Sequence, residues 1–150
     1  MRVEELPGTY REAAIDLLSR FFREEGFATP SHRIAQNLDQ MCADSTCWVA
    51  VAVEHGQLVG VVTVTTMLYV EWGRLGEIGD LYVVPEQRGR RVGRRLVHAA
   101  IGWCQGRGCS GVYVTLTPQG EARHHLSQFY GRLDFQPTGR TTMTMSFSCP

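Results

Sequence analysis

The residues best suited to chemistry lie between Glu77 and Arg95. Five arginines fall between Arg88 and Arg95, interleaved with Gly89 and Gly93 in the run Arg88-Gly89-Arg90-Arg91-Val92-Gly93. Glycines let a ligand come close to the backbone. A helix that opens after such a turn presents unpaired backbone N–H groups carrying about half a positive charge. Arginines this crowded, with only Glu86 near them, repel one another and favour a nearby anion. Together these features suit a pyrophosphate. Two carboxylates precede the turn, Glu77 and Asp80, and each could accept a proton or hold a cation. Three positions apart, they fall on opposite faces of a regular strand.

Several other chemistries are excluded. A P-loop needs Gly-Lys-Ser/Thr, and all 15 basic residues are arginine. A dinucleotide turn follows the first strand of a βαβ unit with a different glycine spacing. The arginines are too clustered, and too free of interleaved aromatics, for a nucleic-acid surface. No histidine pair has metal spacing. Cys42/Cys47 and Cys104/Cys109 match zinc patterns poorly, so no metal and reduced thiols are expected. The uncharged stretch 56–70 is too short to span a bilayer as a helix, and the first residues lack an apolar export core. A cytoplasmic protein with no membrane partner is the expectation.

The elements that must position these residues follow from periodicity. The 150 residues suit one domain, 1–150. Thr9-x-x-Glu12 reads as a capping box. It opens a helix with Ala14, Leu17, Leu18, Phe21 and Phe22 on one face and a stop at Gly26. Thr29-Pro30 opens a second helix, burying Ile34, Leu38 and Met41. Strands are predicted at 47–54 and 57–69, joined by a turn at His55-Gly56, and at 75–84, ended by Pro85. A helix with Leu96, Val97, Ala100, Ile101, Trp103 and Cys104 on its apolar face follows the arginine turn. A strand at 112–117, a helix at about 121–132 and a final strand alternating Met143, Met145 and Phe147 complete the order, with a short first strand at Arg2-Val3. The fold class is α/β in the α+β sense: a mixed sheet with helices on its faces.

This segment resembles a known family. Arg88-Gly89-Arg90-Arg91-Val92-Gly93 is similar to the Gln/Arg-x-x-Gly-x-Gly/Ala acetyl-CoA motif of the GNAT superfamily of N-acetyltransferases. Asp80-Leu81-Tyr82-Val83-Val84-Pro85-Glu86 resembles the strand leading into that motif. Phe129-Tyr130-Gly131-Arg132-Leu133-Asp134-Phe135 resembles the family's closing Phe-Tyr-x-x-x-Gly-Phe signature. The element order agrees along essentially the whole chain. The resemblance implies a GNAT fold, with a mostly antiparallel twisted sheet. Three positions depart from the pattern: Arg91 stands at the first glycine, Asp134 replaces the last, and the usual Asn is absent from 115–120.

The resemblance also implies roles. The backbone of Leu81, Tyr82 and Val83 would pair with the pantetheine arm of acetyl-CoA, the co-substrate. Arg88, Gly89, Arg90, Arg91, Val92, Gly93 and Arg94 would hold the pyrophosphate, and an N–H near Val83 would polarise the thioester carbonyl. A primary amine is mostly protonated near neutrality, so a base is needed, and Glu77 and Asp80 stand as equal candidates. A strand bulge, frequent in the family, would change their facing. Tyr130 would protonate the leaving thiolate, whereas position alone makes it a packing residue. The acceptor would be a small cationic amine, an aminoglycoside among the options. The halves of the chain support this: residues 1–80 hold 12 acids against 6 Arg, residues 81–150 hold 3 acids against 9 Arg. A protein lysine or N-terminal acetyltransferase and a non-catalytic acyl-CoA-binding module remain open, as does a homodimer paired through the last strand.

Overall fold

We describe a computed structural model, which places residues 1–147. Strands β1 (Arg2–Glu5), β2 (Cys47–Glu54), β3 (Gln57–Tyr69), β4 (Gly73–Val83) and β5 (Gly111–Val114) form one sheet in the order β1-β2-β3-β4-β5. All neighbours are antiparallel except β4 and β5, which are parallel. Helices α1 (Arg11–Glu24) and α2 (Ser31–Ala43) cover one face, and α3 (Val92–Gly106) the other. Two short helices, α4 (Pro118–His124) and α5 (Leu126–Gly131), follow β5.

The sheet's two faces explain its apolar run. Val49, Val51 and Val53 of β2 meet Ala14, Ile15, Leu17 and Leu18 of α1 and Ile34 and Leu38 of α2. The intervening Ala50 and Ala52, with Val62, Val64 and Ile78, meet Val92, Leu96, Val97, Ala100 and Cys104 of α3. Each fully buried Leu or Val here contributes roughly 1.5–3 kcal/mol. Glycines let α3 lie close to the sheet: a Cβ on Gly60 would sit 2.9 Å from Leu96 Cδ1, and one on Gly76 2.4 Å from Cys104 Sγ. Among the described residues, no helix is long and apolar enough to cross a membrane.

Two features of β4 position the candidate site. Its pairing with β5 runs from Leu75 opposite Gly111 to Ile78 opposite Val114 and stops there, while β4 continues to Val83. The strands therefore separate into a wedge. Within β4, Thr63 of β3 faces Asp80 and Val64 faces Ile78, so Gly79 is an extra, bulged residue.

Local differences from the sequence expectations have physical causes. The Thr9-x-x-Glu12 box does not cap α1; residues 8–10 tighten into a 3-10 turn and the helix begins at Arg11 without a side-chain cap. Helix α2 starts at Ser31, the Pro30 carbonyl accepting from the N–H groups of Arg33 and Ile34. The helix expected at about 121–132 is two helices, because His125 adopts a left-handed conformation (φ 48°) that breaks the hydrogen-bond run. The predicted strand at 112–117 ends at Val114. The predicted final strand is absent: residues 136–147 pair with nothing in the sheet, and Met143, Met145 and Phe147 are 90%, 76% and 81% exposed.

Candidate active site

A cavity of about 610 Å³ fills the wedge. Residues 78–83 of β4 form one wall and residues 114–117 the other. The arginine turn and the start of α3 close one end, and Phe129, Tyr130 and Leu133 pack from the side of α5. Arg91 precedes α3 with φ 66°, a left-handed conformation that glycine adopts without strain, and supplies no side-chain cap. Arg91, Val92, Gly93 and Arg94 thus bring the uncapped helix start to the cavity.

The arginines divide into two groups. Arg88 is engaged within the protein: Nε donates to the Val83 carbonyl at 2.9 Å, Nη2 to Glu24 Oε2 at 3.2 Å, and the guanidinium lies 5.5 Å from the Tyr82 ring centre. Arg90 donates to Gln87 at 2.7 Å and lies 3.9 Å from Glu54. Arg91, Arg94 and Arg132 line the cavity with no carboxylate beside them among the described residues. The sequence grouped Arg88 and Arg90 with the phosphate ligands; both side chains tie down the loop, and Arg88 also lines the cavity. Arg132 was not singled out, since its helix register relative to the cavity depends on the break at His125.

Glu24 anchors that tie. Burial disfavours its charge, but hydrogen bonds from Tyr82 (2.7 Å) and Arg88, with Arg20 alongside, outweigh it and hold the carboxyl below the usual range. Burial and Glu24 together push the Tyr82 phenol up to about 12. Beside it, Glu25 lines the cavity mouth and lies 3.5 Å from His124 Nε2, and Arg123 donates to the Glu24 carbonyl. The end of α1 and α4 are thereby joined beside the cavity.

The bulge at Gly79 changes the facing of the two carboxylates. Gly76 and Ile78 point at α3, so Glu77 points to the α1/α2 face; Tyr82 packs in that second cluster, and Asp80 precedes it by two. Glu77 and Asp80 therefore share one face, in place of the opposite faces expected of a regular strand. Asp80 lines the cavity at the point of the wedge. Its Oδ2 accepts from Thr63 Oγ1 at 2.6 Å, and its N–H donates to the same oxygen at 3.0 Å. Burial raises the Asp80 pKa most, the Thr63 hydroxyl opposes this, and Glu77 adds to the rise. Glu77 Oε2 accepts from Tyr113 Oη at 2.9 Å. Thr63 and Tyr113 were missed in the sequence because only strand register puts them beside these acids.

Tyr130 is 6% exposed, wedged edge-on between Phe129 and Phe135, and lines the cavity. Burial pushes its phenol up, so the hydroxyl keeps its proton across the neutral range. It carries a proton in the cavity wall, in addition to packing. Among the described residues, no three His, Cys, Asp or Glu side chains gather to hold a metal.

Comparisons with known proteins agree with this arrangement. The family model "Acetyltransferase (GNAT) family" matches residues 11–135. A curated relative from rice (Oryza sativa subsp. japonica), glucosamine 6-phosphate N-acetyltransferase 1, is 31% identical over 102 residues, covering 67% of this chain; the chain spans 58% of that relative. An integron cassette protein from the Cole Harbour Salt Marsh metagenome superposes with TM-score 0.85 at 21% identity, over 99% of this chain and 91% of its own. The aminoglycoside acetyltransferase AAC(6')-Iy, solved with a bisubstrate analogue of CoA, superposes with TM-score 0.83 at 17% identity, over 98% of each chain. These last two likenesses concern the fold. The chain belongs to the acetyltransferase (GNAT) family.

Proposed function

We propose that this chain transfers the acetyl group of acetyl-CoA to a primary amine of a cationic small molecule, an aminoglycoside or another polyamine, in the cytoplasm. The observation that carries the reading is Asp80, a half-buried carboxyl at the point of the wedge, with Tyr130 on the same cavity and unpaired arginines at its end. Acetyl-CoA, when bound, supplies the acetyl group as a thioester. Arg91, Arg94 and Arg132 meet its phosphates with the amides at the start of α3. Past Ile78 the edge of β4 is free of β5, which leaves Leu81 and the Val83 N–H to the pantetheine arm, the Val83 carbonyl being held by Arg88. Asp80, its pKa raised by burial, takes the proton of the acceptor ammonium. Tyr130 gives a proton to the departing sulfur.

An amino sugar is common to the names of the rice relative and of the aminoglycoside enzymes, which supports that acceptor class. The working form in this reading is a homodimer. The test follows CoA thiol release with aminoglycosides, amino sugars, polyamines and labelled peptides. Release with the first three groups and not with peptides is expected. Release only with peptides makes the chain a protein acetyltransferase, and CoA binding without any release makes it a non-catalytic module.

A further inference from the structure

The two carboxylates of β4 share a face but not a setting. Asp80 lines the cavity and is buttressed by Thr63. Glu77 lies outside the cavity lining, one repeat further from the wedge, between Thr65 of β3 and Tyr113 of β5 in register. Facing positions on a strand repeat every second residue, and the bulge stretches that repeat to three, so the two carboxylates stand on the order of 7 Å apart. Both lack a cation of the protein's own among the described residues, as do Glu5, Asp16, Asp44, Glu121 and Asp134, whereas Glu24, Glu25, Asp39, Glu54 and Glu71 each have an arginine or histidine within 4.0 Å. Tyr113 donates to one oxygen of Glu77 and leaves the other open. The pair is half-buried, outside both apolar clusters.

We propose that Glu77, oriented by Tyr113, is a specificity-determining residue that holds a second ammonium group of the acceptor while the reacting amine sits at Asp80. The proposal rests on the acetyl-transfer reading above and deepens it: the acceptor is a diamine or polyamine whose amino groups match the separation of the two carboxylates. Asp80 is assigned the chemistry and Glu77 the recognition. Tyr113 is a positioning residue that fixes the Glu77 carboxylate through one oxygen.

Diaminobutane, diaminoethane and butylamine are the probes, with binding measured calorimetrically and acetyl transfer measured separately. Wild-type protein is expected to bind diaminobutane more tightly than butylamine, and diaminoethane, too short to span both acids, no better than butylamine. Glu77→Gln removes one charge-assisted contact. It is expected to weaken diaminobutane binding, and raise its KM, on the order of tenfold, with a much smaller effect on butylamine. Tyr113→Phe should move the diaminobutane KM in the same direction by less, with kcat unchanged, and Glu77→Asp should recover part of the loss. Equal binding of the mono- and diamine by wild type overturns the proposal. So does a Glu77→Gln variant that loses kcat with both. Selective diamine binding without acetyl transfer sinks the acetyl-transfer reading and leaves standing only the part that assigns Glu77 the second ammonium.

Discussion

Arg91 joins a cost to a use. A non-glycine residue held at φ 66° is strained by roughly 1–2 kcal/mol, yet its side chain lies at the cavity end where phosphates would sit. Arg91→Gly should therefore raise stability by about 1 kcal/mol, read from the denaturation midpoint, and weaken acetyl-CoA binding while flattening its dependence on salt. A variant less stable than wild type would show that the turn tolerates the arginine without strain. Asp80 presents a similar opposition. Its pKa is raised in the fold, so its neutral form favours folding. That stability is present below the unfolded value of roughly 3.9 and is lost as pH rises through the higher folded value. Asp80→Asn, which can still accept from Thr63, should raise the melting temperature at neutral pH and make no difference at pH below the unfolded value. It should also lower kcat by about 10²–10⁴-fold and abolish the acidic limb of the rate profile. An unchanged limb would remove Asp80 from the chemistry.

The docking of α3 on β4 depends on Gly76, against which Cys104 packs. Gly76 and Cys104 are both buried. Gly76→Ala should cost about 1–3 kcal/mol, and adding Cys104→Ala should return part of that loss, a coupling that a double-mutant cycle measures directly. If the losses simply add, the contact is not what limits the packing. Elements of this kind were legible because their signal is local. The runs of β2 and β3, the apolar stripe of α3 and the turn at His55-Gly56, where both residues have positive φ, follow from periodicity and turn chemistry. The arginine turn and Tyr130 were legible from motif spacing. What escaped depends on register or on contacts distant in sequence. The bulge at Gly79, which puts Glu77 and Asp80 on one face, is decided by pairing with β3. The capture of Arg88 by Glu24 spans 64 positions. The break at His125 arises where a left-handed residue interrupts a stretch that reads as one helix.

The opposed charges of the two halves acquire a second meaning once the chain is folded. Part of the split is consumed internally, since Glu24 meets Arg88 and Glu54 meets Arg90, so acid from the first half pins the basic turn of the second. Arg91, Arg94 and Arg132, with no carboxylate beside them among the described residues, line the cavity, as does Asp80, while Glu77 lies just outside its lining. The C-terminal segment is the other unspent feature. Its alternating Thr142, Thr144 and Ser146 against Met143, Met145 and Phe147 has strand periodicity, yet those apolar side chains stand in solvent. Arg140 holds the start of the segment at the β3–β4 turn, 3.9 Å from the Trp72 ring centre and 3.8 Å from Glu71. Strand β5 meanwhile ends the sheet with its outer edge free, beside a groove of about 580 Å³ lined by Ile101, Val112, Leu116 and Phe135. One chain thus has an unpaired segment with strand periodicity and an unpaired edge, and pairing of two chains about a two-fold axis would satisfy both. Light scattering should find a dimer, and deletion from Thr141 onward, or Met143→Asp combined with Phe147→Asp, should yield a folded monomer with an unchanged melting profile for the sheet. A wild-type chain that scatters as a monomer well above its assay concentration would remove the homodimer from the reading, and a dimer that survives both changes would move the interface elsewhere on the surface.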